Sequence, residues 1–325
     1  MMKINTLFFS SLAAFTLSIP SLVYAQEIVT VPMLEGGVTA TIGTVYAQTS
    51  ADNTSYGFGV DSTEENEFIL DTTNVIPDYE FGIQASIGYL FDDTANGIEL
   101  SYRNLDTSDT ASTFGAPNEN SGLITGDIDS NLGYEFNAFD LLISQYMNIG
   151  EHMQMRFVGG LAYVELEQNL KSNIDYSSVP PGSDNITVNT TQDSEFTGWG
   201  PRVGIDTRYS FNQGVGIVGG ASVAYYLGDL DLSNVQGQYN FDDDVPVTYD
   251  NENDIDSHSV TNLRANLGID YVYVFDNEES STLGLELGYQ VDYYSEAVAT
   301  LPAPTIVLPV DVTFSGPYVN LKGVF

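Results

Sequence analysis

The sequence predicts an all-β protein, a single closed antiparallel transmembrane β-barrel of about ten strands. Three observations carry this prediction. Apolar and polar residues alternate one by one along most of the chain, short and long connections follow each other, and the few basic side chains keep to one face of their segments. Together these features are typical of a barrel with short periplasmic turns and long extracellular loops.

The N-terminal segment has the features of a secretory signal peptide. Lys3 supplies a positive charge, an apolar stretch follows, and Val23-Tyr24-Ala25 ends it with the small-residue pattern of a cleavage site. We therefore predict a signal peptide over residues 1–25 and an outer-membrane β-barrel domain over residues 26–325. An N-terminal membrane anchor is the alternative. Elsewhere no apolar run approaches the roughly 20 residues that a spanning helix needs.

Alternation defines the predicted strands one after another. In the second, Phe81, Ile83 and Ile87 share one face, while Glu80 and Gln84 lie on the other. The predicted strands cover residues 38–46, 79–89, 98–103, 134–147, 153–163, 200–211, 215–227, 262–273, 283–292 and 319–325. In the fourth strand the alternation slips near Ala138, which predicts a β-bulge there.

The connections between these strands alternate in length. The turns "FDDTANG", "NIGEH", "FNQG" and "FDNEESS" are short, whereas the polar stretches 169–196 and 228–259 are long and are predicted to be loops. Outer-membrane barrels have short turns on the periplasmic side and longer loops outside. An even number of strands then leaves both chain termini on the periplasmic side.

The positions of the basic residues indicate which face meets lipid. Apart from Lys3 and Lys171, every Lys and Arg lies on the polar face of its strand. A cation facing lipid at the bilayer midplane costs about 2–4 kcal/mol, so we predict that the polar faces enclose a lumen. The charged residues predicted to face this lumen are Glu99, Arg103, Arg156, Arg202, Asp206, Arg208, Arg264, Asp270, Glu286 and Lys322. A soluble β-sandwich is the alternative.

Several stretches resemble the Legionella major outer membrane protein family. They are "GYEFNAFDL", "MRFVGGLAYVELEQ", "GWGPRVGIDTRYSF", "LGLELGYQVDYY" and "FSGPYVNLKGVF", and the likeness extends from about Gly36 to the end of the chain. The resemblance implies an integral, surface-exposed outer-membrane barrel with porin-type activity and an adhesive role in some members. Phe325 resembles the terminal signal that the barrel-assembly machinery reads. The family is associated with disulfide-linked oligomers, which a chain without cysteine cannot form.

Composition narrows the function further. The chain has 45 acidic and 8 basic residues and a formal net charge of −37, which argues against nucleic acid as a partner. We predict no cofactor, no metal site and no catalytic residue. The expected surroundings are the lipid and lipopolysaccharide of a Gram-negative outer membrane, and homo-oligomers remain an open alternative.

Three classes of function remain. The first is a porin-type barrel with a narrow, cation-preferring diffusion path, or a structural surface protein, since ten strands enclose little free space. The second is a surface adhesin or binding platform whose acidic extracellular loops contact host molecules or divalent cations. The third is a protease similar to the omptins, because Asp127, Asp129, Asp256 and His258 have comparable spacing. We expect that the protein is not an enzyme.

Overall fold

The structure is a computed structural model that describes residues 36–51, 55–63, 67–116, 126–176, 186–240, 247–275, 281–303 and 306–325. The predicted signal peptide lies outside these residues. The strands are β1 (Gly37–Ala51), β2 (Ser55–Thr63), β3 (Glu67–Asn74), β4 (Glu80–Leu90), β5 (Asn96–Ala116), β6 (Gly126–Ile149), β7 (Met153–Tyr176), β8 (Ile186–Ser210), β9 (Val215–Asn240), β10 (Val247–Val274), β11 (Thr282–Ala303) and β12 (Ile306–Val324).

Ten of these strands form a closed antiparallel ring, which confirms the predicted fold class. β1 pairs with β4 on one side and with β12 on the other, and β5 pairs with β6, so that no edge is left in the ring of β1 and β4 to β12. Closure satisfies the strand backbone groups within the protein, as hydrocarbon requires. Each predicted strand lies within or overlaps one strand of the ring.

The remaining two strands form a hairpin outside the ring. β2 pairs with β3, and it joins the end of β5 through Phe58↔Ala116 and Gly59↔Gly115. The alternation in the sequence did not predict this hairpin. Among the described residues no helix is long and apolar enough to cross a membrane.

One end of the ring carries the short turns and both described chain ends. Val38 and Phe325 exchange backbone hydrogen bonds of 2.9 Å, which ties β1 to the C-terminus. A Tyr-x-Phe sequence leads into three of the turns, at Tyr89-Leu90-Phe91, Tyr209-Ser210-Phe211 and Tyr273-Val274-Phe275, and in each the two rings pack edge to face. Exposed aromatic rings at a strand end are typical of an interfacial girdle, and short turns are typical of the periplasmic side, so we assign this end as the periplasmic rim.

The strands continue far beyond the predicted limits at the other end. The stretches 169–196 and 228–259 were predicted to be loops, and this is wrong: β7 runs to Tyr176, β8 begins at Ile186, β9 runs to Asn240 and β10 begins at Val247. The reason is that polar outward residues alternate there with buried apolar ones. Ile174 and Leu230 are examples of such buried residues.

The polarity of the two faces reverses along the long strands, as β6 illustrates. In the periplasmic half, Leu141 and Ile143 of β6 face outward while Asp140 is buried inside. In the extracellular half the same strand buries Tyr134 and Phe136 and exposes Glu135 between them. The predicted bulge at Ala138 is therefore wrong, because β6 pairs without any register shift with both neighbours. The slip in the pattern marks a reversal of polarity, and the backbone stays regular.

Candidate functional site: the barrel interior

The periplasmic half of the barrel encloses a cavity of about 430 Å³. Its lining includes Gly36 and Phe325, so it opens at the periplasmic rim. The ten charged residues predicted to face the lumen all line it: Glu99, Arg103, Arg156, Arg202, Asp206, Arg208, Arg264, Asp270, Glu286 and Lys322. The sorting of cations by face thus brings together residues from six strands, β5, β7, β8 and β10 to β12.

Near the rim the charges neutralise one another in pairs between strands. Arg156 contacts Glu99 at 3.1 Å and Asp206 at 3.4 Å. Arg208 Nε lies 2.6 Å from an oxygen of Asp270. A third pair joins Lys322 to Glu286, which also accepts a 2.7 Å hydrogen bond from the hydroxyl of Tyr318. Paired and hydrogen-bonded charges are the arrangement that a low-dielectric interior tolerates.

Deeper inside, a charged layer crosses the barrel. It consists of Arg103, Asp140, Arg202, Asn262 and Asp292. Arg103 pairs with Asp292 on the opposite wall and lies 3.6 Å from Asp140, which Arg202 contacts at 3.1 Å. Asn262 joins the two sides by accepting from Arg202 at 3.0 Å and donating to Asp292 at 2.5 Å. Arg202 is only 2% exposed, which shows how completely this layer is enclosed.

An apolar layer closes the barrel directly above the charged layer. The rings of Phe136, Tyr294 and Phe314 meet on the axis with centroids 4.9–6.0 Å apart. The Arg103 guanidinium packs over Phe136 at 5.5 Å from the ring centroid, so the two layers are in contact. Beyond these rings the interior holds a continuous apolar core that includes Leu132, Val164, Phe196, Leu230, Val260 and Val312. In this conformation the periplasmic cavity is a dead end.

Part of this core comes from an inward bulge of β11, residues 295–299. The register of β11 against β12 shifts between Tyr294 and Val298, and Glu296 has a φ of 56°. Ala297, Val298 and Ala299 are consecutively buried, whereas a regular strand in a barrel wall would turn alternate residues outward. The backbone of Ala299 reaches across to β8, where its N–H donates to the Ser194 hydroxyl at 2.9 Å.

The outer face of the extracellular half carries a row of carboxylates, here called the acidic row. It crosses five neighbouring strands in register as Glu135↔Glu167, Glu167↔Glu195, Glu195↔Asp231 and Asp231↔Asp254. Partial burial and, to a smaller extent, the negative charges of Glu135 and Glu195 raise the pKa of Glu167. Partial burial and the charge of Asp254 likewise raise the pKa of Asp231. Like charges placed directly opposite each other destabilise a sheet.

Among the residues considered for a protease, Asp127, Asp129 and His258 have different surroundings. Asp127 and Asp129 lie on the outward face of β6, because Ile128 and Ser130 between and beside them are buried. His258 instead contacts the carbonyl of Glu296 at 2.7 Å, and its ring packs against the buried Phe196. Within the described ranges no group of three His, Cys, Asp or Glu side chains is arranged to hold a metal ion.

The sequence reading did not identify the residues that close the barrel. Phe136, Tyr294 and Phe314 are large and apolar, and in a membrane barrel such residues were expected to face lipid. The sequence analysis gave Asn262 no role either, although it connects the two sides of the charged layer. The sequence does contain an indication of this reversal. At Arg156 in β7 the even-numbered position carries a polar residue, whereas at Leu166-Glu167 the even-numbered position is apolar and the odd-numbered one is acidic.

Sequence comparison connects the chain with one family. The sequence model described as the Legionella pneumophila major outer membrane protein precursor matches residues 30–325. No protein with a curated description matches the chain by sequence.

Comparison with solved structures returns outer-membrane proteins. The outer membrane protease OmpT from Escherichia coli is 12% identical, with 89% of this chain and 97% of that chain covered and a TM-score of 0.46. The toluene transporter TodX of Pseudomonas putida is 7% identical, with 89% of each chain covered and a TM-score of 0.27. A FadL homologue of Pseudomonas aeruginosa is 8% identical, with 90% of each chain covered and a TM-score of 0.26. Likenesses at this level of sequence identity concern the fold alone.

Proposed function

Because the chain belongs to the family of the Legionella pneumophila major outer membrane protein, we propose that it is an integral outer-membrane barrel of structural surface-protein type that restricts diffusion. The observation that carries this proposal is the closed interior, in which the charged layer lies against the rings of Phe136, Tyr294 and Phe314. Open aqueous channels belong to barrels of about 16–18 strands, whereas side chains can fill a barrel of about eight.

In a porin-type version of this function, the barrel would contain a narrow diffusion path that prefers cations. It requires that the apolar layer opens, and the inward bulge of β11 is the element best suited to move. A positive φ at a residue other than glycine, as at Glu296, stores strain of order 1–3 kcal/mol, which a rearrangement would release. Cation preference would follow from the negative charge of the extracellular half, of which the acidic row is a part.

Planar-bilayer recording separates these two forms. We expect little or no conductance from the purified wild-type protein, and a higher conductance from Phe136→Ala, which removes a ring from the closing layer. Phe139→Ala is the matched control, since Phe139 lies three residues along the same strand but faces outward and is 45% exposed. Large, stable openings of the wild type, or equal currents from the two variants, would contradict a closed interior.

The acidic row favours a second candidate, a surface binding platform for cationic partners. Five carboxylates in register on the outer wall hold their positions at a cost in stability, and a cationic partner would offset that cost. A lysine-rich peptide is expected to bind the wild type with strong salt dependence. The triple variant Glu135→Gln/Glu167→Gln/Glu195→Gln should bind more weakly. Asp92→Asn/Asp93→Asn/Glu151→Gln, which removes three charges from periplasmic turns, should bind like the wild type, and equal loss in both would exclude the row.

The C-terminus supports one further proposal, that Phe325 acts as the signal for barrel assembly. Its ring is 59% exposed at the periplasmic rim, while its backbone is held by Val38. Phe325→Ala should therefore reduce the amount of folded, heat-modifiable protein in the outer membrane. It should leave the stability of the molecules that do fold nearly unchanged, whereas a purely structural role would lower that stability.

A further inference from the structure

One interior cation has no carboxylate partner. Of the six basic side chains that line the cavity, Arg103, Arg156, Arg202, Arg208 and Lys322 each form an ion pair. Arg264 forms none among the side chains that the structure describes, and its one hydrogen bond, of 3.3 Å, goes to the neutral Oε1 of Gln290. The acidic side chains that could neutralise it are all engaged by the other five cations.

This unpaired arginine is unexpected in so acidic a chain. Acidic residues outnumber basic ones 45 to 8, so a carboxylate beside Arg264 would have been easy to supply. Asp292 lies directly opposite on β11, but it pairs with Arg103 and accepts a 2.5 Å hydrogen bond from Asn262. An enclosed charge without a counter-ion is unfavourable. The paired interior carboxylates equal the cations in number, but Arg156 contacts two of them, so a partner for Arg264 is best supplied from outside the chain.

The surroundings of Arg264 offer further donors to an anion. Gln290 uses its oxygen to accept from Arg264, which leaves its Nε2 amide without a partner among the described residues. Ser222 lies opposite Arg264 on β9 and accepts from Arg202 at 3.1 Å, so its own hydroxyl hydrogen stays free to donate. All three side chains line the cavity, which connects them with the periplasmic rim.

We propose that the cavity binds a small oxyanion, a carboxylate or a phosphate, that enters from the periplasm and pairs with Arg264, while Gln290 and Ser222 donate to it. A guanidinium is suited to this role because its planar fork of N–H groups matches both anions. The cavity of about 430 Å³ is large enough for a small metabolite or for the headgroup of a lipid. The proposal does not depend on whether the barrel conducts ions.

Calorimetric titration of the folded, full-length protein in detergent tests this proposal. The probes are sodium phosphate and sodium acetate, each added at constant ionic strength. Saturable binding by the wild type is expected, and Arg264→Gln should raise Kd by about tenfold or more. Lys171→Gln is the control, since it removes the same charge from an exposed site on β7. It should leave Kd unchanged.

Folding of each variant is checked by its heat-modifiable migration on a gel. If Arg264→Gln does not fold, Arg264→Lys and Gln290→Ala replace it, and both should weaken binding because they remove the fork or one donor. A separate titration with detergent-solubilised phosphatidylglycerol compares a lipid headgroup with free phosphate, and tighter binding of either is consistent with an oxyanion site. Absence of saturable binding by the wild type, or equal Kd values in wild type and folded Arg264 variants, would overturn the proposal.

Discussion

Asp292→Asn tests whether the charged layer is truly desolvated. Asp292 is 3% exposed and is the carboxylate through which Arg103 reaches the opposite wall. After the substitution two guanidinium groups, those of Arg103 and Arg202, share Asp140 alone, and Asp140 already lies 3.1 Å from Arg202. Removing one partner of a buried pair costs about 3–5 kcal/mol, because the remaining charge stays enclosed.

The single tryptophan makes this loss measurable. Trp199 faces outward and is 66% exposed on the barrel wall, so its fluorescence reports whether the barrel is inserted in lipid or unfolded. With a slope of about 1–3 kcal/mol per molar urea, or somewhat more for a chain of this size, a loss of this magnitude lowers the urea midpoint by on the order of 1 M. The double variant Arg103→Met/Asp292→Leu removes both charges and should recover most of the loss.

An unchanged midpoint for Asp292→Asn would refute the desolvated layer. It would mean that water reaches Arg103 and screens its charge, as in an open channel. Asp231→Asn is the matched control, because it removes the same charge from the outer wall, where Asp231 is exposed beside Asp254. This control should be neutral or slightly stabilising.

Two further predictions concern the strand walls. Glu167→Gln should stabilise the barrel by a few tenths of a kcal/mol up to about 1 kcal/mol at neutral pH. Because the pKa of Glu167 is raised on folding, the stability of the wild type rises as the pH falls through that pKa. The stability advantage of the variant should therefore disappear in acid, which urea titrations at several pH values would show. Gly160→Ala should lower the free energy of unfolding by about 1–3 kcal/mol, since a Cβ there would collide with the backbone of Leu141. Gly133→Ala is the control: a Cβ at that position would have its nearest neighbours 3.8 Å away, so the loss in the same titration should be clearly smaller.

The membrane-spanning half could be predicted because lipid imposes a rule that a single sequence reveals. A cation such as Arg156 or Arg264 cannot face hydrocarbon, so its position identifies the inner face of the strand and, by alternation, the outer one. The number of strands and the position of the short turns followed from the same pattern. Cross-barrel partners could not be predicted, since Arg103 and Asp292 lie 189 residues apart and meet only through ring closure.

The extracellular half was misread for an equally physical reason. Above the membrane the outer face meets water, so the alternation there is that of a soluble protein, with Glu167 outside and Leu166 inside. Long polar stretches with scattered apolar residues resemble loops when every strand is expected to carry its apolar residues outward. The inward bulge of β11 was also missed, because it depends on contacts with Ser194 on a strand three positions away in the ring.

The reversal of polarity has a consequence for how firmly the strands are held in register. A shift of one residue moves every side chain of a strand to the opposite face. In β8 such a shift would turn Arg202 toward lipid and, in the same movement, expose Phe196 to water and bring Glu195 into the apolar core. In a barrel of uniform polarity only the membrane penalises this error. Here both halves penalise it independently, so the long strands that rise above the membrane help to specify the pairing of the part that lies within it.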